Sequence, residues 1–67
     1  MKLKIFFMNG SIKIYENKSK WNSADAVEVA GKIFLHVTHN NELILAAPMC
    51  NVAYFEIVED ESDVENG

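Results

Sequence analysis

Apolar residues over positions 1–58 come in short runs that are separated by residues typical of turns. The first two runs flank Asn9-Gly10, a dipeptide that favours two-residue β-hairpin turns because both residues tolerate a positive φ. Such a turn pairs Met8 with Ser11 and predicts that one face of the hairpin is cleanly apolar. The side chains of this predicted inner face are Leu3, Ile5, Phe7, Ile12 and Ile14.

The remaining runs predict four more strands and no helix of useful length. Turn signals lie at Gly31-Lys32 and Asn40-Asn41, and Pro48 ends a strand because it cannot donate to a β-ladder. The predicted strands are Lys2–Met8, Ser11–Glu16, Ala26–Ala30, Ile33–His39, Glu42–Ala47 and Val52–Val58. This pattern predicts an all-β fold, either a small antiparallel curled sheet or an SH3/Sm-like barrel of five to six strands.

Two consecutive strands, Ile33–His39 and Glu42–Ala47, are apolar on both faces. Antiparallel strands usually keep one face exposed to solvent. The pattern therefore predicts that these two strands lie at the centre of the fold or at a subunit interface. A chain of 67 residues has a marginal core, and its single cysteine, Cys50, excludes an intramolecular disulfide. We therefore expect a homo-oligomer, with Leu45 at the interface. The side chains expected in the core are Ile5, Phe7, Ile12, Ile14, Val37, Ile44, Phe55 and Ile57.

Charge divides the chain into two parts. Five of the six lysines lie in the first 20 residues, and six of the ten acids lie in the last 12. The division predicts a single all-β domain over residues 1–58 and an acidic, disordered tail over residues 59–67. Such a tail usually solubilises a protein; it can also fold back on the lysines or bind a basic partner. Neither a signal peptide nor an apolar stretch of membrane-spanning length is visible, so a cytoplasmic location is expected.

One face of the first predicted hairpin combines lysines with aromatic rings. In the predicted register Lys4, Phe6, Lys13 and Tyr15 share this face. The loop that follows adds Lys18, Lys20 and Trp21. Nucleic-acid-binding sheets use such a mixture, because lysines neutralise phosphates and rings stack on bases. However, the chain has no arginine for bidentate phosphate contacts, and a solvated face with shielding rings explains the same residues.

No motif of a catalytic, metal or cofactor site is present. The chain lacks a nucleophile elbow, a P-loop, a zinc-protease helix motif and a dinucleotide-binding glycine motif. His36 and His39 are three positions apart on one predicted strand, so they point to opposite faces and do not share a metal ion. The sequence thus predicts a protein without enzymatic activity, cofactor or metal.

The two ends of the chain resemble parts of known proteins. The opening hairpin at residues 4–10 (Lys-Ile-Phe-Phe-Met-Asn-Gly) and the closing strand at residues 51–60 (Asn-Val-Ala-Tyr-Phe-Glu-Ile-Val-Glu-Asp) are similar to those of short all-β accessory proteins of bacteriophages and mobile elements. The resemblance covers both ends and not the middle, and its motifs are structural. It implies a cytoplasmic protein that binds a host or phage macromolecule, for example as an inhibitor. It carries over no functional residue.

These patterns together favour a non-catalytic binding module that acts through protein–protein interaction. The alternative is a small nucleic-acid-binding barrel that uses the lysine and aromatic face of the first hairpin. A third alternative is an oligomer that holds a small ligand between subunits. No membrane partner is expected.

Overall fold

Six β-strands and one short 3-10 turn make up residues 1–59, the part of the chain that the computed structural model describes. The strands are β1 (Lys2–Phe7), β2 (Ile12–Tyr15), β3 (Ser23–Val29), β4 (Lys32–His39), β5 (Glu42–Pro48) and β6 (Val52–Val58), and the 3-10 turn is Met49–Asn51. They form two antiparallel sheets with the strand orders β2-β1-β6 and β3-β4-β5. The all-β prediction is confirmed, and the two sheets do not close into a barrel. Residues 60–67, which hold most of the predicted tail, lie outside the described residues.

The two sheets pack face to face around one small core. Leu3 and Ile5 of β1 contribute from the first sheet and Leu35 and Val37 of β4 from the second, and all four side chains are fully buried. The buried set among the described residues is Leu3, Ile5, Trp21, Leu35, Val37, Ala47 and Val52. Burying one large aliphatic side chain contributes about 1.5–3 kcal/mol, so a core of this size leaves a narrow margin of stability.

Trp21 is the largest member of this core, although it lies in the connection between β2 and β3. Its side chain is only 1 % exposed. The indole Nε1 donates to the main-chain oxygen of Met1 at 3.3 Å, so the polar end of the ring has a partner. The next residue, Asn22, donates its main-chain N–H to the oxygen of Thr38 at 2.7 Å and leads the chain into β3. The interpretation of Trp21 as an exposed binding residue is therefore wrong.

The first hairpin has a three-residue loop, Met8-Asn9-Gly10, rather than the predicted two-residue turn. The main-chain N–H of Phe7 donates to the oxygen of Ser11 at 2.9 Å, and that of Gly10 donates to the oxygen of Phe7 at 3.0 Å. Gly10 has a φ of +91°, whereas Asn9 keeps a negative φ. This is a turn followed by a positive-φ residue, the usual three-residue hairpin loop. The Asn9 side chain supports it by accepting from the N–H and hydroxyl of Ser11, at 2.9 and 2.7 Å.

The extra loop residue moves the pairing of β1 with β2 by one position. Leu3 lies opposite Tyr15, Ile5 opposite Lys13, and Phe6 opposite Ile12. Side chains along a strand alternate between faces, so a shift of one residue turns the whole of β2 over. The predicted pairing of Met8 with Ser11, and with it the predicted apolar inner face, is wrong for β2.

The pairing of β4 with β5 contains a β-bulge on β5. Thr38 pairs with Leu43, but Val37 pairs with Leu45, so Ile44 is the extra residue on β5. Leu45 thereby turns inward and packs, half-buried, against the core. Leu45 thus packs partly against the core of the monomer, and its place at a subunit interface stays a prediction.

Half of the side chains expected in the core are exposed. Ile5 and Val37 are fully buried, and Phe7 and Phe55 are half-buried against the core. The exposed members of the expected set are Ile12, Ile14, Ile44 and Ile57. The shifted hairpin register accounts for the first two, the bulge for the third, and a position on the edge strand β6 for the last.

We expect Trp21→Ala to lower the free energy of unfolding by about 3–5 kcal/mol, because it removes the largest buried side chain and leaves a cavity. That loss is most of the stability of a domain this small. Urea unfolding followed by far-ultraviolet circular dichroism measures it, with Met8→Ala, at a side chain 68 % exposed, as the control. A Trp21→Ala midpoint equal to that of the wild type would show that the indole is not part of the core.

We expect Gly10→Ala to destabilise the protein by about 1–2 kcal/mol through backbone strain alone. A Cβ at Gly10 meets no atom within 4 Å, so packing does not oppose the substitution, whereas the φ of +91° does. A chemically synthesised chain with d-alanine at this position is the matched control, since a d-residue favours positive φ and should be neutral or slightly stabilising. Equal melting of the two alanine variants would contradict the positive-φ loop.

Candidate functional site

The side chains on the solvent side of the first sheet form a single surface, called the outer face below. Across β1, Lys4 lies between Ile14 of β2 and Glu56 of β6, and Phe6 lies between Ile12 and Tyr54. Directly opposed residues in antiparallel strands share a face, so these two rows cross all three strands. The outer face consists of Lys2, Lys4, Phe6, Ile12, Ile14, Glu16, Tyr54, Glu56 and Val58.

Phe6 and Tyr54, neighbours in one row, form an aromatic stack. Their ring centroids are 4.4 Å apart and the ring planes differ by 16°. Tyr54 is 55 % exposed, and Ile12, on the other side of Phe6, is 56 % exposed. Ile14 and Val58 add further exposed apolar surface. Clustered apolar side chains on an open sheet are the usual mark of an interaction surface, whereas isolated ones are not.

The lysines of the outer face are each accompanied by a carboxylate. Lys2 Nζ lies 3.7 Å from Glu16 Oε1. Lys4 lies directly opposite Glu56 in the register of β1 with β6. Over the whole described range, lysines and acids are equal in number, at six each. The outer face therefore carries an apolar row at one end, and beside it rows in which lysines are matched by carboxylates.

The predicted binding residues divide among four places: the outer face, the opposite face of the same sheet, the loop after β2 and the core. Lys4 and Phe6 lie on the outer face, as predicted, but Lys13 and Tyr15 lie on the opposite face of the sheet because of the shifted register. There the Lys13 ammonium lies 5.5 Å from the centroid of the Tyr15 ring, close enough for a cation–π contact. Tyr15 is half-buried and packs against the core. The predicted combination of these four residues on one face is wrong.

Lys18 and Lys20 remain exposed after β2, while Trp21 turns into the core. Their loop is held by a turn in which Lys20 N–H donates to the oxygen of Asn17 at 2.8 Å. The Asn17 side chain also accepts from the N–H of Ser19 at 3.0 Å. β2 ends opposite the start of β1, so these two lysines follow the outer face at the end where Lys2 lies.

The sequence interpretation missed the apolar half of the outer face. Its missing members are Ile12, Ile14, Tyr54 and Val58. The hairpin loop could have identified Ile12 and Ile14 from the sequence. A three-residue loop with one positive-φ glycine sets a strand register in which both side chains face solvent. No local signal identifies Tyr54 and Val58, because only the pairing of β6 with β1 brings the two ends of the chain together.

Two open grooves offer little chemistry. The first, of about 660 Å³, lies between the first hairpin loop and the end of β5. Its lining residues are Phe7, Met8, Asn9, Ser11, Ala46, Ala47, Pro48 and Asn51, none of which ionises near neutral pH. The second, of about 520 Å³, runs beside the 3-10 turn and includes the exposed thiol of Cys50. The first groove brings together no nucleophile and base, whereas the second is also lined by Lys32, and there the Cys50 thiol donates to Asn51 Oδ1 at 3.8 Å.

The described residues 1–59 contain no group of three or more His, Cys, Asp and Glu side chains that could hold a metal ion. His36 lies between Asp25 and Ala46 on the solvent side of the second sheet, and His39 lies at the end of the β4–β5 hairpin opposite Glu42. Within the same range, no helix has the length and apolar character needed to cross a membrane.

Comparison with known proteins does not extend these observations. No protein-family model matches the chain, and no curated protein or solved structure matches it significantly. The candidate function therefore rests on the geometry of the site.

Burial raises the pKa of the Tyr15 phenol above its usual value of about 10. Because the folded state favours the neutral phenol, the unfolded state ionises first as the pH rises. The phenol's contribution to the free energy of unfolding is therefore complete below pH 10 and is lost as the pH rises through the raised pKa. We expect stability to fall more steeply above pH 10 in the wild type than in Tyr15→Phe. Urea unfolding at several alkaline pH values measures the free energy of unfolding of both proteins. In a Tyr54→Phe variant Tyr15 is the remaining tyrosine, so the tyrosinate absorbance measures its titration alone. A Tyr15 midpoint at or below 10 would contradict its burial.

Proposed function

We propose that this protein is a non-catalytic binding module that docks another protein on its outer face. The observation that carries the proposal is the apolar row across the three strands of the first sheet, in which Ile12 and Tyr54 are exposed and the half-buried Phe6 lies between them. The partner fits this surface if it offers a flat apolar patch with a few polar groups around it. The resemblance of the two chain ends to short phage and mobile-element proteins adds a proposed partner, which is a host or phage macromolecule in the cytoplasm.

The aromatic stack supports a protein partner through its rigidity. Phe6 holds Tyr54 in a fixed orientation, so little side-chain freedom is lost when a partner covers the ring. Tyrosine is enriched among the residues that carry most of the binding energy at protein interfaces. Ile12 and Ile14 extend the contact over β2 with β-branched side chains that also have few rotamers.

The charge arrangement favours a protein over a nucleic acid. A nucleic-acid-binding sheet needs cations that are free to neutralise phosphates. On the outer face Lys2 has Glu16 beside it and Lys4 has Glu56 opposite it, so incoming phosphates would meet carboxylates as well as lysines. The exposed Tyr54 ring and the nearby Lys18 and Lys20 keep nucleic-acid binding as the second candidate.

The test compares two lysine substitutions at similarly exposed positions. Ile12→Lys changes the apolar row of the outer face, whereas Val29→Lys, at a side chain 48 % exposed at the end of β3, changes the other sheet. Proteins captured from extract by the wild type are identified, purified and titrated by calorimetry against all three chains. We expect Ile12→Lys to weaken the affinity at least about tenfold, because a charge would be buried in an apolar contact, and Val29→Lys to leave it unchanged.

Two results would contradict this proposal. One is a purified partner that binds the wild type and Ile12→Lys equally. The other is a wild type that shifts oligonucleotides at low salt and an Ile12→Lys that shifts them more strongly, since an added lysine strengthens phosphate contacts while it weakens protein docking. The second result would establish the nucleic-acid alternative.

A further inference from the structure

Three of the four sheet edges carry features that oppose pairing with another strand. β2 has only four residues and includes Lys13. β3 includes Asp25 and Glu28. β5 has the bulge at Ile44 and ends at Pro48, which cannot donate a hydrogen bond. Short length, charge, bulges and proline are the usual means by which proteins protect sheet edges.

The fourth edge, β6, lacks this protection over most of its length. Its pairing with β1 is irregular only before Tyr54, and from Tyr54 to Val58 the register is continuous. This segment contains no proline or glycine and one charged residue, Glu56. Ile57 on one face and Tyr54 on the other are each about half exposed. The outward N–H and C=O groups of such an edge are available to another strand.

We propose that β6 pairs antiparallel with β6 of a second copy of this chain, about a two-fold axis perpendicular to the sheet. The two three-stranded sheets then become one continuous sheet of six strands in the order β2-β1-β6-β6-β1-β2. The proposal is independent of the proposed function, since it uses the edge of the sheet rather than the outer face.

The sequence of β6 selects the register of this pairing. When the two-fold axis passes between two copies of the same residue, each residue of one β6 lies opposite a residue of the other β6 that points to the same side of the sheet. The inner faces of the two sheets then lie on one side, and the outer faces on the other. Centred on Glu56, the pairing places like charges directly opposite each other, which is destabilising. Centred on Phe55, it places Phe55 opposite Phe55 of the second copy and Glu56 opposite Tyr54 of the second copy. The second arrangement matches apolar with apolar and leaves the carboxylates apart.

The charges that follow β6 favour the antiparallel direction. Glu59 and the acids Asp60, Glu61, Asp63 and Glu65 come directly after this strand. Parallel pairing would place two such segments side by side. In the antiparallel pair the two C-terminal ends of β6 are separated by about 20 Å, from the length of the strand, which is about two and a half Debye lengths at physiological ionic strength. The charges therefore favour the antiparallel direction, and they favour the Phe55-centred register over the Glu56-centred one.

The first experiment measures mass by light scattering at micromolar concentration. We expect the wild type to have about twice the 7.6 kDa mass of one chain. Ile57→Lys places a lysine on the unprotected edge and should weaken dimerisation at least about tenfold, whereas Ile12→Lys, on the far strand of the same sheet, should leave it unchanged. Circular dichroism checks that both variants are folded. A wild-type mass of one chain, or dissociation by Ile12→Lys alone, would overturn the proposal.

The second experiment tests the register directly. In a Cys50→Ser background, chains with Tyr54→Cys and chains with Glu56→Cys are mixed under mild oxidation. Residues directly opposite in an antiparallel pair have Cβ atoms within reach of a disulfide. We expect the mixture to form cross-linked dimers faster than either chain alone. Fastest cross-linking by Glu56→Cys alone, or no cross-linking in the mixture, would refute the Phe55-centred pair.

Discussion

The positive φ of Gly10 decides which side chains of the first sheet face the core. This one glycine allows the hairpin loop to hold three residues, and the loop sets Leu3 opposite Tyr15 rather than a residue one position away. The aromatic ring of Tyr15 then packs inward, and Ile12 and Ile14 are turned out to solvent. The composition of the outer face, and hence any binding on it, depends on this loop.

The core that results is small, and a residue outside the strands completes it. Trp21 reaches between the sheets from a connecting loop, and its indole donates to the main chain at Met1. Its burial ties the β2–β3 connection to the first residue of the chain. A domain with so few buried side chains gains comparatively more from a bound partner or a second copy, because any surface covered there adds to a narrow margin.

The outer face and the β6 edge meet along one strand. Tyr54 lies on both, as part of the aromatic stack and as a residue of the unprotected edge. Pairing of two β6 strands would join two outer faces into one surface with an aromatic stack on each side of the axis. The glutamate of the same strand, Glu56, faces Lys4 on one side, so the charge balance of the outer face continues to its edge.

The sequence by itself determined the all-β class and nearly all of the strands, because alternation, turn residues and Pro48 act within a few positions. It also placed Lys4 and Phe6 correctly on the outer face. The start of β3 came earlier than predicted, since Ser23 is held by a hydroxyl contact with Thr38 at 2.7 Å, which is distant in the chain. The assignment of side chains to faces was decided by the tertiary structure. A strand has a period of two, so one extra residue in a loop or a bulge reverses a face, and only packing of both sheets selects among such alternatives.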